Sequence, residues 1–217
     1  METVECSLPE GVKLIAPKDD HIGRQYEKGS WYEDTMLRYM QRLGPDLTYL
    51  DAGAFVGGHS LYMARLCKAK KVYAFEPNPE LFALLKENIR LNGLENIITA
   101  YNVALGLSEG QGVMRPRFDG NRGAWAVQPR HEGDIRILTL DSFTLPKIDV
   151  VKIDVEGMAD FVLAGGKMFL SVHKPRLFIE CADKEELEAV EIELQPFGYK
   201  RGDCFNWTPT HEFIPEV

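Results

Sequence analysis

The chain has 217 residues, 45% of them hydrophobic and 27% charged, with a formal net charge of −8. That length suits one domain with a small appendage and a sizeable core, and the balance is that of an ordinary soluble globular protein. An acidic surface argues against a large nucleic-acid or anionic-membrane footprint, because phosphates demand basic patches.

Cys6, Cys67, Cys181 and Cys204 are scattered, with no CxxC pair and no zinc spacing. Free thiols and a cytoplasmic location are therefore expected. METVECSLPEGVKL lacks the basic start and apolar stretch of a signal peptide, and no run approaches the roughly 18 apolar residues of a membrane span.

In chain order, GVKLIAP reads as a strand and YEDTMLRYMQRL as a helix. Residues 1–45 are read as a lid or substrate-side appendage, and 46–217 as the main domain. LTYLDAG is a short strand, and the helix after it carries Leu61, Ala64 and Cys67 on one face. KKVYAF is a second strand. In PNPELFALLKENIRLNG, Asn78 can cap, Pro79 suits the first helical position and Gly93 can close the far end. Leu81, Leu85 and Ile89 form its apolar face. NIITAYNVAL is a third strand, IDVVKIDV a fourth, apolar enough to be buried on both faces, and RLFIEC a fifth. KEELEAVEIEL is helical, and GYKRGDCFNWTP looks like a closing hairpin. The stretch from Gly110 to Arg136 reads as irregular, with Arg115, Arg117, Arg122, Arg130 and Arg136 in an otherwise acidic chain. Alternating strands and helices with buried strands predict an α/β fold with a doubly wound, mostly parallel sheet. Ligands in such sheets sit beyond the carboxyl ends of the strands, where the strand order switches.

The first strand–helix junction is LDAGAFVGGHS. Its glycines lack the GxGxxG spacing of dinucleotide sites and the Gly-Lys-Ser/Thr of phosphate loops. The backbone can approach a ligand here, but the turn is built for neither pyrophosphate nor triphosphate. Glu76 ends the next strand, roughly 20 residues beyond the turn, where an acid can accept hydrogen bonds from both ribose hydroxyls. Asp51 would repel pyrophosphate yet can help hold the ammonium of an amino acid. Ribose plus amino acid without phosphate points to S-adenosylmethionine. Each acid alone would also suit a structural role, as a helix-entry or surface residue; their joint placement favours the ligand.

The ordered stretches GSWYE, DAGAFVGGHS, FEPNP, ENIRLNGL, NVALG, TLDSF, VVKIDVEG and IEC resemble the FkbM family of class I S-adenosylmethionine-dependent O-methyltransferases. The resemblance covers about Gly29 to Gly198, and VKIDVEG is its most distinctive piece. It implies that Asp51, Gly53, Ala54, Phe55 and Gly57 bind the cofactor, with Asp51, Gly53 and Gly57 along its methionine part. Glu76 would hold the ribose, Pro77 and Asn78 shape the adenine side, and Asn102 and Val103 flank the adenine. Glu33 would cap the pocket, and Asp154 would lie near the sulfonium and the acceptor. The usual turn resembles DVGANIG; here Ala52 and Phe55 replace the valine and the asparagine, so the backbone is expected to matter more than the side chain at Phe55.

Asp154, Glu156 and Glu180 are the candidate catalytic acids, converging at adjacent strand ends. Either Asp154 acts directly as a general base or orients the acceptor, or the acids bind Mg²⁺ and acidify a hydroxyl pair. The metal-free route is favoured. Lys152, inside an apolar strand, is expected to pair with a neighbouring acid. IDVEG stands where amine methylation of nucleobases would need an acid-Pro-Pro-aromatic stretch, which favours an oxygen acceptor. Trp31 and Tyr32 suit either a lid or the core. Asn121, Arg122 and His131 are the candidate acceptor-binding residues. The expected activity is methyl transfer to a hydroxyl of a sugar, glycan or natural product. The alternatives are 2′-O-methylation of RNA, disfavoured by the charge, and a degenerate fold serving as a partner subunit; a homodimer is compatible with all three.

Overall fold

The computed structural model describes residues 1–18, 20–116 and 125–216. Thirteen strands and seven α-helices run in the order β1 (Thr3–Leu8), β2 (Val12–Pro17), α1 (His21–Glu27), α2 (Asp34–Gln41), β3 (Thr48–Ala52), α3 (Gly58–Arg65), β4 (Lys71–Phe75), α4 (Pro79–Leu91), β5 (Ile98–Tyr101) and β6 (Ala104–Leu105) among the described residues. Then come β7 (Gly110–Pro116), β8 (Trp125–Arg130), β9 (Ile135–Leu138), β10 (Val150–Ile153), α5 (Ala159–Ala164), α6 (Lys167–His173), β11 (Arg176–Glu180), α7 (Lys184–Leu194), β12 (Tyr199–Phe205) and β13 (Thr210–Pro215).

The main sheet has the order β12-β13-β11-β10-β3-β4-β5. Five strands are parallel, and β13 and β12 close one edge antiparallel, so the doubly wound expectation holds. The chain winds outward from β3 to β5 and then returns to β10 on the other side of β3. That reversal opens a crevice beyond the carboxyl ends of β3 and β10.

One apolar cluster lies between α3, α4 and the sheet, with Leu61, Leu81, Leu85 and Ile89 in it as their helical spacing predicts. The other packs α5, α6 and α7 on the opposite face, around Val151, Val162, Leu170 and Val190. The β1–β2 hairpin shares the first cluster through Leu8, Val12 and Leu14. Asn88 on α4 and Asn92 at its C-terminal cap join it there: their amide oxygens accept from the N–H groups of Ile15 and Lys13 at 2.7 and 3.0 Å, and their amide nitrogens donate back to the same residues' carbonyls.

Two readings are corrected. Among its described residues, Gly110–Arg136 is not irregular: β7, β8 and the start of β9 lie in it and form a four-stranded sheet with β6, in the order β6-β9-β7-β8. Glycines and prolines in β7 and β8 depress strand propensity, and only cross-strand pairing restores it. NIITAYNVAL is likewise two strands, β5 in the main sheet and β6 in the small one. No helix among the described residues is long and apolar enough to cross a membrane.

Candidate active site

The glycine turn is anchored to β4. The N–H groups of Gly53 and Ala54 both donate to the carbonyl of Phe75, at 3.0 and 2.9 Å. Gly53 has φ +82°, and a Cβ there would overlap the carbonyl oxygen of Asp154, so only glycine brings β3 this close to the end of β10. Phe55 adopts φ +53°, and its N–H donates to Glu76 Oε2 at 2.8 Å. The N–H of Asn78 donates to Glu76 Oε1 at 2.8 Å. Both oxygens of the buried Glu76 are thus fixed by backbone amides. Burial still pushes its carboxyl up to about 8, because desolvation outweighs the two amide bonds. Asn78 also caps α4, accepting from Glu80 and Leu81. Asn102 Nδ2 donates to the carbonyls of Glu76 at 2.8 Å and Pro77 at 3.0 Å, tying down the loop after β4.

Behind the turn lies a buried charge cluster. Asp51 is fully buried; its Oδ2 accepts from the Ser60 hydroxyl at 2.6 Å. Its Oδ1 lies 3.6 Å from Lys152 Nζ and has no hydrogen-bond partner. Lys152 also donates to Asp154 Oδ2 at 3.1 Å. β3 and β10 pair in parallel with Asp51 opposite Lys152, which is how residues so distant in sequence meet. Glu33 enters α2 at φ +58° with its Oε2 3.6 Å from His59 Nε2. Burial first, then repulsion from Asp154, pushes Glu33 up to about 8. Burial and the Lys152 charge hold His59 well below the usual histidine range. The neutral ring therefore donates from Nε2 to the Tyr32 carbonyl, at 3.2 Å, and stacks on the Tyr32 ring.

At the strand ends, Asp154, Glu156 and Glu180 each offer a carboxylate oxygen within 4.8 Å of the others. Burial, then repulsion from Asp154, Glu156 and Glu33, pushes Glu180 up to about 9.

These groups surround a cavity of about 390 Å³. Of the residues singled out in the sequence, Gly53, Phe55, Glu76, Pro77, Val103, Asp154, Glu156 and Glu180 line it, with Gly53 against the Asp154 backbone between the β4 acid Glu76 and the β11 acid Glu180. Asp51, Ala54, Gly57, Asn78, Asn102 and Glu33 are not in its wall; of these, Ala54, Asn78 and Asn102 hydrogen-bond to the lining residues Phe75, Glu76 and Pro77. Tyr32 lines the cavity, whereas Trp31 is buried against Tyr62 and belongs to the core. His131 lies exposed between β8 and β9, away from the cavity. Asn121 and Arg122 fall outside the described residues. Sequence reasoning missed Met114, Trp125 and Val127, contributed by the small sheet, and Trp207, Thr208 and Pro209 at the β12–β13 turn. The tryptophan in the hairpin stretch FNWTP was the available signal: Trp207 is fully exposed.

A doubly wound sheet with a glycine turn, an amide-held acid on the second parallel strand and acids beyond the fourth defines a class I methyltransferase fold. The chain belongs to the Methyltransferase FkbM domain family, which it matches over residues 51–216. It is 31% identical over 140 residues to the hexuronic acid methyltransferase AglP of Haloferax volcanii, covering 61% of this chain and 55% of that one. It is 29% identical over 167 residues to the 2-O-methyltransferase NoeI of Sinorhizobium fredii, covering 66% of this chain and 67% of that protein. Several of the curated relatives are thus matched over little more than half their length. Among solved structures, the methyltransferase FkbM of Methylobacillus flagellatus superposes with a TM-score of 0.58 at 21% identity, over 77% of this chain and 43% of that one.

Proposed function

We propose that this chain transfers a methyl group from S-adenosylmethionine to a hydroxyl of a sugar, glycan or natural-product acceptor. The observation that carries this is one cavity holding two differently built acid sites. One is Glu76, pinned by two backbone amides, and the other is the Asp154–Glu156–Glu180 group. Its residues fit the cofactor. Glu76 retains lone pairs for ribose hydroxyls, Pro77 and Val103 offer apolar surface to a base, and the turn at Gly53 leaves room for no side chain.

Bound S-adenosylmethionine supplies an electrophilic methyl on a positively charged sulfur. The chain's own work is to orient the acceptor oxygen and receive its proton. Asp154 suits the second task by position, since its carboxylate lies in the cavity wall with Oδ2 held by the Lys152 ammonium. Glu180, pushed up to about 9, keeps its proton at neutral pH and can donate a hydrogen bond to the acceptor. Positioning supplies much of the rate, and a general base contributes roughly 10²- to 10⁴-fold.

A second version has the three clustered carboxylates hold Mg²⁺, a hard ion that takes oxygen ligands, so that it acidifies the acceptor hydroxyl. AglP and NoeI, by their names, act on a hexuronic acid and at a 2-O position, which supports an oxygen acceptor here. Calorimetric titration of S-adenosylmethionine and NAD⁺ into the protein tests the reading. Binding of the first alone, weakened about tenfold or more by Glu76→Ala, supports it; no binding by folded protein leaves a degenerate partner subunit as the better account. Release of S-adenosylhomocysteine with hydroxylated acceptors, with and without Mg²⁺ or EDTA, separates the two versions.

A further inference from the structure

The small sheet has a different surface on each side. Alternation along β7 and β8 turns Met114, Val127 and Trp125 toward the cavity. It turns Gln111, Arg115, Ala126, Gln128 and Arg130 the other way. Arg130 on β8 and Arg136 on β9 both lie directly opposite Gln111 on β7, so all three arginines share that outer face. All three are exposed, β7, β8 and β9 contain no acid, and none of the three has an ion-pair partner among the described residues. In a chain of net charge −8, three arginines thus share one face of the small sheet, with the exposed Glu109, Glu132 and Asp134 in the flanking turns.

That face borders an open groove of about 470 Å³ lined by Arg115 and Gln128 from the small sheet and by Glu156 and Phe161 from the segment after β10. The groove and the cavity meet around edge strand β8, where both touch Val127, Glu156 and Met158. A molecule reaching around that edge meets Asp154 and Glu180 in the cavity and Arg115 in the groove, with Glu156 lining both.

We infer that Arg115 holds an anionic substituent, a carboxylate or a phosphate, on the methyl acceptor while the acceptor's hydroxyl lies at Asp154. The inference rests on the methyl-transfer reading and adds the charge class of the substrate. A guanidinium in the adjoining groove attracts an anion, whereas the described lining of the cavity holds no lysine or arginine, so the acceptor is oriented with its anionic group at Arg115. Pro129 and Phe161 in the groove supply apolar surface for the carbon face of a sugar ring.

The test is titration of glucuronate, glucose 6-phosphate and glucose into protein saturated with S-adenosylhomocysteine, for the natural chain, Arg115→Gln and Arg130→Gln. An anionic sugar is expected to bind about tenfold or more tightly than glucose, with the gap narrowing at high salt. Arg115→Gln should reduce the gap to about threefold or less, and Arg130→Gln, at the far end of the face, should leave most of it. Affinity for S-adenosylhomocysteine should stay unchanged in both variants. Whichever anionic sugar binds more tightly assigns carboxylate or phosphate. Equal binding of all three sugars, no sugar binding, or an undiminished gap in Arg115→Gln overturns the subsite while leaving methyl transfer intact. Failure to bind S-adenosylhomocysteine overturns the methyl-transfer reading itself.

Discussion

Lys152 donates a 3.1 Å hydrogen bond to Asp154 Oδ2 from a position that is 2% exposed. The same ammonium faces Asp51 at 3.6 Å, so one cation compensates two carboxylates inside the sheet. Removing one partner of a buried ion pair leaves charge without compensation, which costs about 3–5 kcal/mol. Lys152→Met is expected to lose that much in urea unfolding, and adding Asp51→Asn should recover part of it. A loss under about 1 kcal/mol, or a double variant as unstable as the sum of the singles, would show that the three groups do not act together.

Gly53 and Gly93 separate steric overlap from backbone strain. Both have positive φ, +82° and +63°, but a Cβ at Gly93 meets nothing within 4 Å, whereas at Gly53 it collides with the Asp154 carbonyl. Gly93→Ala should cost about 1 kcal/mol, the penalty of the left-handed region. Gly53→Ala should cost about 2 kcal/mol more and weaken S-adenosylmethionine binding, because the turn must move. Thermal melts and calorimetry check both; equal costs would mean that the approach of β3 to Asp154 is not tight.

Three carboxyls, Glu76 buried and Glu33 and Glu180 partly so, give the pH dependence its sign. Glu33 and Glu76 are pushed up to about 8 and Glu180 to about 9, far above the usual carboxylate range. The folded protein therefore holds more protons than the unfolded chain between about pH 4.5 and 9. Stability is full at the acid end of that window and falls as pH rises through the folded values, by at most about 1.4 kcal/mol per pH unit for each group. The urea midpoint of the ligand-free protein should be higher at pH 6 than at pH 9. Affinity for the cationic cofactor should move the opposite way, since ionised acids hold it better. A midpoint that rises with pH would refute this account of the site.

Asn102 acts through the loop it ties. Its amide holds the carbonyls of Glu76 and Pro77, and Asn102→Ala removes both bonds. At about 1 kcal/mol for each bond, stability should drop by 1 to 2 such increments and cofactor affinity should fall several-fold, with Glu76 itself intact. If melting falls and affinity does not, Asn102 serves the fold alone.

Much of this was legible in the chain because the signals are local. Asn78 before Pro79 predicted the cap that the structure shows, and Leu81, Leu85 and Ile89 predicted the buried face of α4. LDAGAFVGGHS, Glu76 and the acids of IDVEG lie at strand ends, so locating the strands located them. Phe55, whose ring replaces the family's asparagine, contributes its N–H to Glu76, a role indifferent to the side chain.

Sequence alone thus determined the order of strands and helices, the ends of the strands that would face a ligand, and the family. Only the tertiary structure decided which of those residues reach the cavity and which do not. Asp51 turned inward to Lys152 because β3 and β10 pair with those residues opposite each other. The arginine-rich stretch became one wall because pairing across β7, β8 and β9 overrode its glycines and prolines. Period, caps and turn chemistry act over a few residues and are written in the chain. Strand register and the walls of a cavity join residues far apart, and they exist only once the sheet has closed.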